Sequence, residues 1–235
     1  MKKKCIAIIT ARGGSKRIPR KNIRDFCGKP IIAYSIQAAL ESGCFDIVMV
    51  STDDDEIADI SRKYGAQVPF MRSKKTSSDF ATTSDVIKEV LQKYEDMGES
   101  IEYACCIYPT APFITSDRLI EAIKLMKEKN PVEVIPVVAF SFPPQRCFVI
   151  NEEGKAQYKY KEYKNSRSQD LEKYYHDAGQ FYVYNVEKYL QYNGNIEDGL
   201  MPIVLNEMEV QDIDNEEDWR VAEFKYKMLM KEGQL

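Results

Sequence analysis

Short, almost wholly apolar runs alternate along this chain with stretches in which apolar residues recur every three or four positions. The run Cys5-Ile6-Ala7-Ile8-Ile9-Thr10 predicts a strand buried on both faces. Similar runs predict strands over 47–50, 68–71, 103–108, 134–140, 180–186 and, more briefly, 203–205. Between them lie helical patterns. Pro30 is placed to open a helix running to about Ser42, with Ile31, Ile32, Tyr34, Ser35, Ala38 and Ala39 at helical spacing and Gly43 as the stop. A second helix spans 55–64 and ends at Gly65. Ser84 is the expected cap of a third, whose stripe is Val86, Ile87, Val90, Leu91 and Tyr94. Ser116 or Asp117 caps a fourth through Leu119, Ile120, Ile123 and Met126, and Asp214 or Asn215 a last one through Trp219, Ala222, Phe224 and Met228. This alternation predicts an α/β fold with three layers, a mainly parallel sheet covered by helices on both faces.

One stretch breaks the rhythm. Residues 143–172 contain Pro143-Pro144, the turn Asn151-Glu152-Glu153-Gly154, and Tyr158-Lys159-Tyr160-Lys161-Glu162-Tyr163-Lys164. This pattern predicts a hairpin-like insertion in an otherwise single domain over 1–235. Interleaved Tyr and Lys also suit single-stranded nucleic acid. The chain carries 33 Lys and Arg against 37 Asp and Glu, however, and its net charge of -4 supplies no general attraction to polyanions. A hairpin packing on a second subunit is the better expectation, and a nucleic-acid partner is not expected.

Lys2-Lys3-Lys4 before the first apolar run imitates a secretory leader, but the run is too short and Arg12 soon interrupts it. No run approaches the ~20 apolar residues of a membrane span. The cytoplasm is the expected location. Cys5, Cys27, Cys44, Cys105, Cys106 and Cys147 form no CxxC pair, so reduced structural thiols are expected rather than disulfides or zinc.

The chemistry concentrates in three segments. The first is the loop Ala11-Arg12-Gly13-Gly14-Ser15-Lys16-Arg17-Ile18-Pro19-Arg20-Lys21-Asn22, which follows the first strand. Ligands of open α/β sheets bind beyond the carboxyl ends of the strands. Glycines there let backbone amides approach an anion, and Arg12, Lys16, Arg17, Arg20 and Lys21 add positive charge. The loop therefore predicts phosphate binding, although it matches neither GxxxxGK[ST] nor GxGxxG; a solvated basic loop is the plainer possibility. The second is Asp212-Ile213-Asp214: if extended, it turns both carboxylates to one side, where they suit Mg²⁺. The plainer reading is a capping Asp214 and a solvated Asp212. The third is Tyr175-His176-Asp177-Ala178-Gly179-Gln180, where the lone His stands beside an acid and a glycine that permits close ligand approach; a structural or exposed His is the plainer reading.

Taken together, 11–22, Gly28-Lys29-Pro30, Val50-Ser51-Thr52-Asp53-Asp54, Tyr108-Pro109-Thr110-Ala111-Pro112 and Asp212-Ile213-Asp214 resemble, in order and over nearly the whole chain, the motifs of the CMP-sugar-acid cytidylyltransferases. The segments at 108–113 and 175–182 most resemble the members that act on pseudaminic acid in bacterial flagellin glycosylation. The resemblance implies a Rossmann-like nucleotide-diphospho-sugar transferase fold. It also implies a reaction in which the anomeric hydroxyl of a nonulosonic acid attacks the α-phosphorus of CTP, giving a CMP-sugar and pyrophosphate. By residue, it implies catalytic roles for Arg12, Lys21 and Asp212, with Mg²⁺ held by Asp212 and Asp214. It implies substrate contacts from Ala11, Gly13, Ser15, Lys16, Asn22, Arg72, Thr83, Ser84, Tyr108, Arg146, His176 and Gln180. It further implies that 143–172 is a dimerisation element reaching over the partner's active site, where Arg167 would serve.

The chain departs from the sialic acid members at sugar-side positions. They carry Gln in place of Tyr108, Arg in place of Ile114, and an Arg-rich stretch where this chain has His176-Asp177. The alternatives are thus a relative acting on legionaminic acid, sialic acid or Kdo; a glycosyltransferase, which the loop at 11–22 speaks against; and a nucleotide-binding protein without turnover.

Overall fold

The computed structural model describes residues 3–233, which leaves Lys2 outside the described residues. In chain order the strands are β1 (Lys4–Thr10), β2 (Asp25–Phe26), β3 (Lys29–Pro30), β4 (Ile47–Ser51), β5 (Ile101–Ile107), β6 (Glu133–Ala139), β7 (Phe148–Ile150), β8 (Ala156–Tyr158), β9 (Tyr175–Asp177), β10 (Phe181–Asn185) and β11 (Leu200–Leu205). The helices are α1 (Ile32–Glu41), α2 (Asp55–Lys63), α3 (Thr83–Asp96), α4 (Ser116–Lys129), α5 (Val186–Gln191) and α6 (Glu216–Lys231).

Seven strands form one sheet in the order β11-β6-β10-β5-β1-β4, with β9 also beside β6. Strands β11, β6, β5, β1 and β4 run the same way, whereas β10 and β9 run against them. The carboxyl ends of five strands therefore meet along one edge. The three-layer expectation holds. One face of the sheet packs Ala7, Ile9, Val50 and Ile107 against Ile32 and Ile36 of α1 and Leu119, Ile123 and Met126 of α4. The other packs Ile6, Ile8, Met49 and Cys106 against Ile87, Val90 and Tyr94 of α3 and Tyr189 of α5. These side chains alternate along β1, as a doubly covered strand requires. A third cluster lies beyond the sheet edge: Ile18 and Ile213 share it with Phe26, Tyr34 and Trp219.

Several local expectations are corrected. Pro30 does not open a helix. It closes a two-strand ribbon, β2–β3, whose turn is Cys27-Gly28 with φ of 50° and 103°, and α1 begins at Ile32. Residues 68–71 form no strand: a single bridge joins Gln67 to Met49, and Pro69 has no amide to continue the ladder. Thr82, not Ser84, caps α3 in a reciprocal capping box with Asp85. Thr115, not Ser116 or Asp117, caps α4. Of the two caps expected for α6, Asn215 is the one that serves, as anticipated, accepting from the amides of Glu217 and Asp218.

The segment 143–172 contains the expected hairpin, β7–β8, turned by Asn151, whose side-chain oxygen accepts from the amides of Glu153 and Lys155 at 3.1 and 2.8 Å. The hairpin leaves Phe148 and Ile150 exposed, and Phe142 just before it is 86 % exposed. All six cysteines are free thiols. Burial raises the pKa of Cys5, Cys105 and Cys106, so these three are poor nucleophiles. Among the described residues no helix is long and apolar enough to cross a membrane.

Candidate active site

The loop after β1 is fixed at four points. Ala11 is buried and its amide donates to the Ser51 carbonyl at the end of β4. The Gly13 amide donates to Asp53 Oδ1 at 2.9 Å. A Cβ on Gly13 would lie 2.8 Å from Asp54 Oδ2 and 3.0 Å from Asp54 Cβ, so glycine is what lets the loop lie against α2's first turn. Asn22 is buried, and its side-chain amide donates to the Arg12 carbonyl at 2.8 Å, closing the loop on itself. Arg20, one of the cations counted toward phosphate binding, is taken up elsewhere: in a left-handed backbone conformation it grips Asp54 at 2.5 and 3.0 Å and also Glu56. It bolts the loop to α2 and does not line the cleft.

The other loop cations face a cleft of about 440 Å³ lined by Thr10, Arg12, Ser15, Lys16, Arg17, Lys21, Asn22, Tyr108, Pro109, Thr110 and Asp214. Four cations thus oppose one carboxylate among the lining residues, which suits a polyanion. Arg12 and Lys16 both contact Asp79, at 2.9 and 2.6 Å. Arg17 pairs with Asp214 at 2.7 Å. The Lys21 ammonium donates to the Ile213 carbonyl at 2.6 Å and stands 3.9 Å from Asp214. Burial lowers the Lys21 pKa, partly offset by Asp214 and Asp212.

The acidic segment reaches this cleft because Ile213 is buried beside Ile18 in the third cluster. Its neighbours in sequence, Asp212 and Asp214, then lie toward the opposite, more open side. The Asp212 carboxyl is held above its ordinary range, first by burial and then by the charge of Asp214. Two adjacent carboxylates form a hard-oxygen pair that suits a divalent cation keeping several waters and phosphate oxygens. Among the described residues no cluster of three or more His, Cys, Asp or Glu side chains is available to hold a metal.

Asp212 also lines a second lobe of about 610 Å³ with Tyr108, Ser141, His176, Asp177, Gly179, Tyr182, Glu207 and Lys225. Tyr108 belongs to both lobes and forms the wall between them. Its hydroxyl exchanges hydrogen bonds with Thr83 and Tyr182, and Tyr182 donates to Asp177 at 2.7 Å. Burial is the main cause that raises the Tyr108 phenol, so the whole chain from Thr83 to Asp177 holds a neutral, oriented hydroxyl at the partition. Gly179, with φ of 64°, stands where the chain crosses from β9 to β10. Here the register against β6 slips between Val137↔Asp177 and Val134↔Val183. The slip carries Gln180 beneath the acidic segment, where its side chain donates to the Glu209 carbonyl at 2.5 Å.

The structure does not bring every expected site residue into the lobes. Arg72 is buried at the end of β4, donating to the hydroxyl and carbonyl of Ser51 at 3.1 and 2.6 Å; it braces the floor behind the cleft. Ser84 accepts from the Tyr189 hydroxyl at 3.0 Å and joins α3 to α5. Arg146 lies in a separate groove of the insertion with Phe142, Pro144 and Ser168. Gln180 acts on the acidic segment rather than lining a lobe. His176 lines the second lobe at its rim, its ring on Phe140 and Nδ1 2.9 Å from the Asp177 carbonyl. Residue reasoning missed Asp79, Glu207, Lys225 and the Tyr182–Asp177 pair. Nothing in the sequence marked Lys225, which falls within the expected last helix among Trp219, Ala222, Phe224 and Met228.

The cytidylyltransferase family model matches residues 6–225. The chain is 40% identical over 225 residues to the pseudaminic acid cytidylyltransferase of Campylobacter jejuni, covering 96% of this chain and 97% of that protein. It is 35% identical over 230 residues to the CMP-N,N'-diacetyllegionaminic acid synthase of Legionella pneumophila, covering 93% and 94%. A solved CMP:2-keto-3-deoxy-manno-octonic acid synthetase complexed with CTP superposes with a TM-score of 0.69 at 19% identity, covering 97% of this chain and 99% of that one.

Proposed function

Because the chain belongs to the cytidylyltransferase family, we propose that it transfers CMP from CTP to the anomeric hydroxyl of pseudaminic acid, releasing pyrophosphate. The observation that carries this reading is the two-lobed cleft: a cation-lined lobe for a triphosphate, an acid-lined lobe for a sugar, and Asp212 and Asp214 at their junction. The 40% identity to the Campylobacter enzyme over nearly all of both chains supports the choice of sugar.

The chemistry follows from the lining. Arg12, Lys16 and Lys21 hold the triphosphate, Arg17 pairs with Asp214, and Arg12 and Lys21 offset charge as the bond from the α-phosphorus to pyrophosphate breaks. Donors preorganised toward developing charge are a large contribution to such a step. Tyr108 separates the lobes and fixes the sugar against the α-phosphate, where proximity alone lowers the barrier. Asp212 faces the sugar lobe and receives the proton of the attacking hydroxyl. Asp212 and Asp214 would together hold Mg²⁺, which when bound supplies charge neutralisation at the phosphate oxygens and lowers the pKa of a nearby hydroxyl.

The insertion, with Phe142, Phe148 and Ile150 exposed, serves as the contact for a homodimer, and Arg167 and Arg146 reach their role from there. The enzyme acts in the cytoplasm, and its product feeds glycosylation of flagellin or another surface glycan. The 35% identity to the Legionella enzyme favours legionaminic acid as the second reading, with the same nucleotide chemistry. Pyrophosphate release from CTP with each acid, and the mass of the product, separates the two.

A further inference from the structure

The second lobe has an electrostatic deficit that the proposed substrate deepens. A nonulosonic acid carries a carboxylate, yet Asp177, Glu207 and Asp212 already line this lobe. Lys225 is the one permanently cationic side chain among its lining residues. It comes from α6, the helix that follows the acidic segment. Its ammonium is held by two backbone carbonyls, Glu207 at 3.1 Å and Val210 at 2.8 Å. An ammonium has three N–H donors, so the two carbonyls fix its position and leave a third donor. They do not neutralise its charge. Among the described residues Lys225 forms no ion pair within 4.0 Å, and the neighbouring Glu207 carboxylate instead accepts from Ser141 at 2.8 Å. The result is a tethered, partly buried cation that feels the Glu207 charge but, among the described residues, has no carboxylate within 4.0 Å, in a lobe that must accept an anion.

We propose that Lys225 binds the carboxylate of the sugar acid and selects acids over neutral sugars; this rests on the sugar-acid reading above. His176 and Gln211 also bring side-chain nitrogens to the lobe, but the His176 ring is held at the rim against Phe140 and the Asp177 carbonyl, and the uncharged Gln211 amide donates to the Asp212 carbonyl at 3.1 Å. The competing explanation is that Lys225 only braces the segment leading to Asp212. The two roles separate kinetically.

The test uses Lys225→Met, which keeps the apolar stem, and Lys225→Arg, which keeps the charge. Each is assayed with CTP, Mg²⁺ and pseudaminic acid, and melted thermally. Losing one charge-assisted contact raises the KM for the sugar acid about 10- to 100-fold in the Met variant, leaves the KM for CTP within about twofold, and is largely restored by Arg. An unchanged sugar-acid KM overturns the proposal. So does a joint rise in both KM values with a lower Tm that Arg does not relieve, which marks a brace. If Lys225→Met does not fold, wild-type enzyme decides: the carboxamide of the sugar acid must compete far more weakly than the acid, and equal competition overturns the proposal. A wild-type enzyme that binds CTP but turns over no sugar acid removes the functional reading and this assignment with it, an outcome visible before any variant is made.

Discussion

Ile18 and Ile213 lie in one buried cluster, 0 % and 1 % exposed, although 195 positions separate them in the chain. Each is the apolar member of an otherwise charged segment. Their shared burial places Lys21 beneath Asp214 and Arg17 beside it. Ile213→Ala should therefore cost stability by about 2–5 kcal/mol, as a cavity in a packed cluster does. It should also lower kcat more than it raises the KM for the sugar acid, because the charged groups lose their common support. Thermal melting and steady-state kinetics check both, and normal turnover in a destabilised variant would show that the anchor serves the fold alone.

Lys21 must be protonated to offset phosphate charge. Burial lowers its pKa from the ordinary lysine value. Activity should therefore be full at neutral pH and fall on the alkaline side, as pH rises through a value below the usual ~10.4. Lys21→Arg, which stays charged, should move that limb to higher pH, while Lys21→Met should lower kcat about 10²- to 10³-fold. A pH profile of kcat/KM measures both effects. An alkaline limb unmoved by arginine would assign it to another group.

Asp214 is shared between Arg17 at 2.7 Å and Lys21 at 3.9 Å. Asp214→Ala should abolish turnover at every Mg²⁺ concentration while the melting curve stays cooperative. Arg17→Ala should do the reverse to the metal requirement. With the pairing cation gone, half-maximal activity should need less Mg²⁺. A titration of rate against Mg²⁺ tests the pair, and near-normal turnover of Asp214→Ala would remove it from the mechanism.

The β7–β8 hairpin exposes 68 % of Ile150. If it is a subunit contact, Ile150→Asp should convert a dimer to a monomer by light scattering and reduce turnover together with assembly. A wild-type monomer with full activity would contradict the contact.

How far the chain could be read without its structure depended on the kind of signal. Strands buried on both faces, such as β1, and helices with long apolar stripes, such as α3, announced themselves because their periodicity extends over several residues. The basic loop and the aspartate pair were legible because charge and glycine concentrate in a few positions. Short elements were not. The six residues of α5 and the three of β9 offer too little pattern to tell from loop. The strand expected at 68–71 failed at Pro69, and the caps shifted because a threonine one or two positions earlier accepted the first free amides. Arg20 and Arg72 look like anion ligands in sequence, and only their partners, Asp54 and Ser51, reveal them as braces. Lys225 and Asp79 come to the cleft from distant segments, which no local motif records.

The central claim is tested most directly by incubating the purified protein with CTP, Mg²⁺ and, separately, pseudaminic, legionaminic, sialic and Kdo acids, and following pyrophosphate release and product mass. The account predicts pyrophosphate and a CMP-sugar of the expected mass with pseudaminic acid, and far slower release with the others. Release with another acid alone would keep the nucleotide chemistry and overturn the sugar. No release with any acid, while CTP still binds, would contradict the account as a whole.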